Sequence, residues 1–67
     1  MTQRERVLDY LREYGSMTAL DGIRELGIID LAGRIRDLRR SGYEVKSTPE
    51  TVKNRFGESC WIARYSL

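Results

Sequence analysis

Apolar side chains recur at three- and four-residue spacing over the first part of the chain, and this period predicts α-helices. Thr2 and Glu5 form a capping-box pattern ahead of the first apolar series. Gly15 follows that series, and glycine commonly ends a helix. The pattern therefore predicts a first helix over about 3–14.

Two further helices are predicted, separated by a very short turn. Thr18 is a suitable N-cap for a helix over about 19–26, which Gly27 ends. Asp30 is a suitable N-cap for a helix over about 31–41. Helices joined by so tight a turn must cross steeply, and this arrangement is the helix-turn-helix unit.

After Gly42 the apolar period changes from 3.6 to 2, which predicts strands. Residues 43–47 and 60–67 alternate apolar and polar positions, and residues 16–18 form a candidate third strand. The segment 48–59 holds typical turn residues: Pro49, Asn54 and Gly57. We therefore expect a hairpin over about 43–67, whose strand register the sequence does not determine. The expected fold is α+β, a three-helix helix-turn-helix domain with this C-terminal β-hairpin as its wing. The whole chain, 1–67, is expected to form this single domain.

The same periodicities predict one apolar core between the helices and the sheet. Trp61 is assigned to this core because it shares a strand face with Ala63 and Tyr65 and because a small domain needs a large apolar anchor. The alternative for Trp61 is stacking on a base, which would indicate single-stranded nucleic acid. The predicted core members are Leu11, Ile23, Leu26, Ile35, Leu38 and Trp61.

Composition excludes most enzyme classes. The 67 residues contain no histidine and one cysteine, and no residues stand at metal-ligand spacing. We expect no catalytic residues, no cofactor, no metal and no small-molecule substrate. No leader and no long apolar run occurs, so we expect a cytoplasmic protein without membrane contact.

Charge is unevenly distributed along the chain. Residues 1–32 carry four basic and six acidic side chains, whereas residues 33–67 carry eight and four. The second half is therefore the candidate surface for a polyanion.

Four arginines of the third helix are candidate DNA contacts. Arg36 lies opposite the apolar stripe and is the best candidate for base edges, and Arg40 lies one turn further on, where a base or a phosphate is possible. Gly33 would permit close approach of the backbone. Arg34 and Arg39 flank this side, and Arg34 has the alternative of ion pairs with Asp37 or Asp30. The alternative is that these arginines only face water, since a solvated amphipathic helix would have the same composition.

Two further places are candidate contacts. At the hairpin tip, Lys53, Asn54 and Arg55 could follow the DNA backbone or enter the minor groove. A hairpin tip that is only exposed to solvent would have the same composition. Thr18 and the first amides of the second helix could bind a phosphate, as helix N-termini do, although capping alone explains Thr18 equally well.

With these elements in order, the chain resembles winged helix-turn-helix domains and is similar to a group of small phage- and prophage-encoded helix-turn-helix proteins. The resemblance rests on Gln3, VLDYL at 7–11, GSMTAL at 15–20, IRELGI at 23–28, LAGRIRDLR at 31–39, Gly42-Tyr43 and ARY at 63–65. It implies the fold and contact with DNA. Such domains serve as repressors, excision factors and sometimes protein-binding adaptors.

The sequence thus predicts a sequence-specific duplex-DNA-binding protein that regulates phage or prophage transcription or directs excisive recombination, in the cytoplasm of a bacterial host. Self-association on DNA is expected to use Leu8 and Tyr10, which flank the apolar stripe of the first helix. The alternative is an adaptor or inhibitor that binds a host or phage protein through the basic helix or through Tyr10 and Phe56.

Overall fold

The computed structural model describes every residue from 1 to 67. The element order is helix α1 (Gln3–Tyr14), strand β1 (Ser16–Thr18), helix α2 (Ala19–Leu26), helix α3 (Leu31–Arg40), strand β2 (Lys46–Lys53) and strand β3 (Ser59–Ser66). The strands form one antiparallel sheet in the order β1-β3-β2. The fold is therefore α+β, with three helices on a three-stranded sheet.

Side-chain caps fix the start of each helix. The Thr2 hydroxyl accepts a hydrogen bond in the first turn of α1. At α2 the Thr18 backbone N–H donates to the Asp21 carboxylate at 2.9 Å, and the Thr18 hydroxyl accepts from the Asp21 N–H, which completes a capping box. The Asp30 carboxylate accepts from the Gly33 N–H at 3.1 Å at the start of α3. The three predicted N-caps are confirmed, because capping depends on residues only three positions apart. The predicted capping box at α1 is not completed, since the Glu5 carboxylate accepts from the Thr2 hydroxyl and not from the Thr2 N–H.

The turn between α2 and α3 is tightly fixed. Gly27 adopts a φ of 67°, in the left-handed region, and its N–H donates to the Ile23 carbonyl at 3.2 Å. The Ile28 N–H donates to the Gly22 carbonyl at 2.9 Å, and the Ile28 side chain is buried. Gly22 is itself buried against Leu31, so α2 and α3 approach closely at this point.

One apolar core joins the helices to the sheet. Tyr10, Leu26 and Tyr65 pack around it as partly buried side chains. Its nine buried members are Val7, Leu8, Leu11, Met17, Ile28, Leu31, Ile35, Leu38 and Val45. Leu11, Ile35 and Leu38 are thus confirmed as core residues, and Leu26 lies at the core's edge.

Two predicted core residues are exposed. Ile23 is 49% exposed because the short helix α2 turns Gly22, not Ile23, towards α3. Trp61 is 71% exposed, because the part of β3 that packs against the core is at Tyr65, four residues further along the strand. Leu8 was predicted as an association surface, but it is buried in the core and is unavailable for that role.

The hairpin strands differ from the predicted ones. Strand β2 begins at Lys46 rather than at residue 43, and it includes Pro49, which was assigned to the loop. Pro49 is paired with Ala63, and β2 lies at the sheet edge, where a residue without an N–H is tolerated. The turn is correspondingly short, between Lys53 and Ser59.

Candidate nucleic-acid interface

Helix α3 buries one side and presents the other to solvent. Leu31, Ile35 and Leu38 are buried in the core. Arg36 and Arg40 lie on the exposed side, one helical turn apart, and neither forms an ion pair, a side-chain hydrogen bond or a cation-π contact within the chain. These two guanidinium groups are therefore free to bind an external anion.

Arg34 is engaged within α3. Its Nε lies 3.3 Å from Asp37 Oδ2, an ion pair too poorly aligned to count as a hydrogen bond. The predicted ion pair with Asp37 is confirmed, but the Asp30 carboxylate instead caps the Gly33 N–H. The pairing partly neutralises the charge that Arg34 offers to a ligand.

Arg39 links α3 to the sheet. Its Nε and Nη2 donate to the Val45 carbonyl oxygen at 3.1 and 2.8 Å. Val45 immediately precedes β2, so this contact fixes the end of α3 against the start of the hairpin. The sequence pattern does not indicate this link, since only the fold brings the Val45 carbonyl to Arg39.

Gly33 and Thr18 occupy buried positions in helix caps. A Cβ added at Gly33 would lie against the Asp30 carboxylate, 2.9 Å from Cγ, so the cap itself explains a glycine here. Thr18 is buried, and its hydroxyl and backbone N–H are both used by Asp21. Thr18 thus fixes the start of α2 and Gly33 the start of α3.

Asn54 shapes the hairpin turn. Its Oδ1 accepts from the backbone N–H groups of Phe56 and Glu58 at 2.9 and 3.1 Å. The Asn54 N–H also donates to the Glu58 carbonyl at 2.9 Å. These local contacts are typical of asparagine in turns.

Lys53 and Arg55 remain exposed beside this turn. Lys53 Nζ donates to the Ser59 hydroxyl across the hairpin at 3.2 Å. The Arg55 guanidinium lies over the Phe56 ring, 5.5 Å from its centroid. Neither cation is neutralised by a carboxylate, so the tip is positively charged.

A family model described as a winged helix-turn-helix domain matches residues 2–67. The chain belongs to this family. No curated protein and no solved structure matches the chain. Membership indicates DNA binding, and winged helix-turn-helix domains are typically DNA-binding units without enzymatic activity.

A cross-strand ion pair stiffens the sheet of this winged helix-turn-helix domain. Arg64 Nε and Nη2 donate to the two Glu50 carboxylate oxygens at 3.0 and 3.1 Å, and Nη1 donates to the Ser16 hydroxyl at 3.0 Å. The hydrogen bonds to Glu50 raise the pKa of Arg64. Arg64 thus connects all three strands, a role that the sequence pattern did not indicate.

The winged helix-turn-helix domain also has a shallow groove between α1 and α2. Asp9, Glu13 and Glu25 line it together with Arg6 and Tyr10, so its carboxylates outnumber its cations. An excess of negative charge disfavours contact with a phosphate backbone at this groove.

No group of three His, Cys, Asp or Glu side chains is placed to hold a metal ion. None of the helices has the length and apolar character required to cross a membrane.

Proposed function

We propose that this chain is a sequence-specific duplex-DNA-binding protein that places α3 in the major groove and uses the β2–β3 hairpin as its wing. The observation that carries the proposal is the pair of free guanidinium groups of Arg36 and Arg40 on the exposed side of α3. The opposite side of that helix is buried in the core, so its orientation is fixed.

Arg36 is the base-reading residue in this proposal. A guanidinium can donate two parallel hydrogen bonds to guanine O6 and N7 in the major groove. Arg40 lies four residues further on, about 6 Å along the helix axis, and binds the adjacent phosphate or base edge. Arg34 and Arg39 add positive potential, while Gly33 and Thr18 hold the helix ends in place.

The hairpin tip supplies the second contact in this proposal. Lys53 and Arg55 bind phosphates or the edge of the neighbouring minor groove, where the potential attracts cations. Asn54 keeps both cations at the tip by bonding the turn backbone. This contact positions the domain, and α3 provides base selectivity.

The biological role we propose is control of transcription, or of the direction of excisive recombination, by a phage- or prophage-type protein in the cytoplasm of a bacterial host. The chain resembles small proteins of that group in the stretches 15–20, 23–28 and 31–39. A domain of this size covers one half-site, so two or more copies bind side by side on the target DNA.

The decisive experiment selects a preferred duplex from a randomised pool and compares the parent with Arg36→Ala. Loss of one bidentate base contact should weaken binding about 5- to 150-fold and relax selection at one base pair. The melting temperature should not change, because Arg36 has no partner in the chain. Arg6→Ala, an exposed arginine on α1, is the matched control. Equal binding by parent and Arg36→Ala would refute the assigned role of α3.

A protein-binding adaptor is the second candidate. The observation that favours it is Phe56, which is 75% exposed at the hairpin tip and could anchor a protein partner. A parent protein with no affinity for any duplex, even at low salt, would favour this candidate, since every DNA binder retains salt-sensitive nonspecific affinity.

A further inference from the structure

Trp61 is the single tryptophan of the chain, and the fold leaves it largely exposed. A side chain of this size is normally buried to a high degree, because it carries a large apolar surface. Here it stands on β3, directly opposite Thr51 of β2 and four residues before Tyr65, the residue of β3 that packs against the core. Packing in the core therefore does not account for a tryptophan at this position.

The two faces of the hairpin differ in their chemistry. Paired residues share a face, so Trp61 lies on the same face as Thr51, Lys53 and Ser59. The strand residues of this face include no carboxylate, and Lys53 is their one charged side chain. The opposite face carries the Glu50 ion pair instead. One face thus combines an aromatic ring, hydroxyl groups and a cation.

This Trp61 face is directed towards the helical side of the sheet. Tyr65 stands on the same face of β3 and packs against the core formed with the helices. Trp61 is four residues away along the strand, about 13 Å, so its ring stands beyond the core on the helix-facing side of the sheet. Lys53 lies on the same face and belongs to the hairpin tip that the proposed function places on DNA, so a duplex held at the tip would pass next to this face.

We infer that Trp61 is a DNA-contact residue, with its indole ring packed against the sugar-phosphate backbone of the duplex held by α3. Lys53 neutralises the flanking phosphate, and the hydroxyls of Thr51 and Ser59 supply hydrogen-bond donors to phosphate oxygens. A flat aromatic ring can pack on the deoxyribose faces of the backbone without sequence preference, and the indole N–H can donate to a phosphate. This inference rests on the proposed function.

The single tryptophan makes the test direct. Acrylamide quenching of tryptophan fluorescence is measured on the parent chain with and without a mixed-sequence duplex of about 20 base pairs at low salt. Binding is followed in parallel by fluorescence anisotropy of a label on the DNA. A covered indole should become less accessible to the quencher, which appears as a lower quenching constant in the presence of the duplex.

Three variants test whether the contact contributes to affinity. Trp61→Thr keeps a residue suited to a strand and removes the ring, and it should lower duplex affinity about tenfold. Trp61→Phe keeps an aromatic ring and should retain most of the affinity. Tyr14→Ala removes an exposed aromatic ring from α1 and should leave affinity unchanged. Melting temperatures of the variants separate weak binding from unfolding.

The outcomes distinguish this inference from the proposed function. If the parent binds the duplex but Trp61 stays accessible to quencher, the inference is overturned and the proposed function stands. If the parent binds no duplex, both fall. If single-stranded DNA of the same sequence binds more tightly and shields Trp61 when the duplex does not, the ring stacks on unpaired bases and the duplex contact is overturned. The quenching result on the parent decides the matter even where a variant unfolds.

Discussion

Arg39→Ala tests whether the link between α3 and β2 stabilises the domain. The parent guanidinium donates two hydrogen bonds to the Val45 carbonyl, at 3.1 and 2.8 Å. Hydrogen bonds that involve a charged group contribute about 1.5–3 kcal/mol each at full strength. Both bonds here share one acceptor and the site is only partly buried, so we expect a loss of about 1–2 kcal/mol in the free energy of unfolding.

The assay is thermal unfolding followed by circular dichroism. A loss of that size should lower the melting temperature of so small a domain by roughly 4–16 °C. Arg39→Lys should recover only part of it, since an ammonium group lacks the planar pair of donors. Arg36→Ala, on the same helix but without an internal partner, is the matched control and should melt like the parent. If Arg39→Ala also melts like the parent, the Val45 contact contributes nothing, and Arg39 returns to the group of arginines free for DNA.

Three other variants test the core, the turn and the tip. Leu38→Ala removes a fully buried side chain and should lower the free energy of unfolding, measured by urea denaturation, by about 2–5 kcal/mol. A variant as stable as the parent would exclude Leu38 from the core. Asn54→Ala removes the acceptor of two turn N–H groups and should cost about 1 kcal/mol, and unchanged stability would contradict the assigned turn role. The double variant Lys53→Ala with Arg55→Ala should make the slope of log duplex affinity against log salt concentration shallower by about two, near 0.9 for each lost phosphate contact. An unchanged slope would exclude the hairpin tip from the interface.

Helix starts and the ion pair of Arg34 were predictable because both depend on residues three positions apart. Thr18 with Asp21 and Arg34 with Asp37 are fixed by helical geometry alone. The Gly27 terminus is equally local, since the backbone there requires a positive φ. Such features can be read from sequence without any knowledge of how the elements pack.

The mistakes concern positions where packing, not local pattern, decides. Alternation along β3 correctly grouped Trp61 with Tyr65 on one face, but the sequence does not show where the helices stop covering that face. Pro49 suggested a loop because proline disrupts paired strands, whereas an edge position tolerates it. The contact of Arg39 with Val45 depends on the path of the chain from α3 into the sheet.

The structure also reduces the charge that the domain can offer to DNA. Of the four arginines on α3, Arg34 is paired and Arg39 is bonded to the backbone, which leaves Arg36 and Arg40. With Arg36 on a base edge, Arg40 and the two tip cations Lys53 and Arg55 can each neutralise one phosphate. The slope of log affinity against log salt concentration is then about −2.7 per protomer. Affinity would fall about 40-fold between 50 and 200 mM salt. A single copy held by so few contacts binds weakly at physiological salt, so base readout and neighbouring copies must supply the rest of the affinity for a specific site.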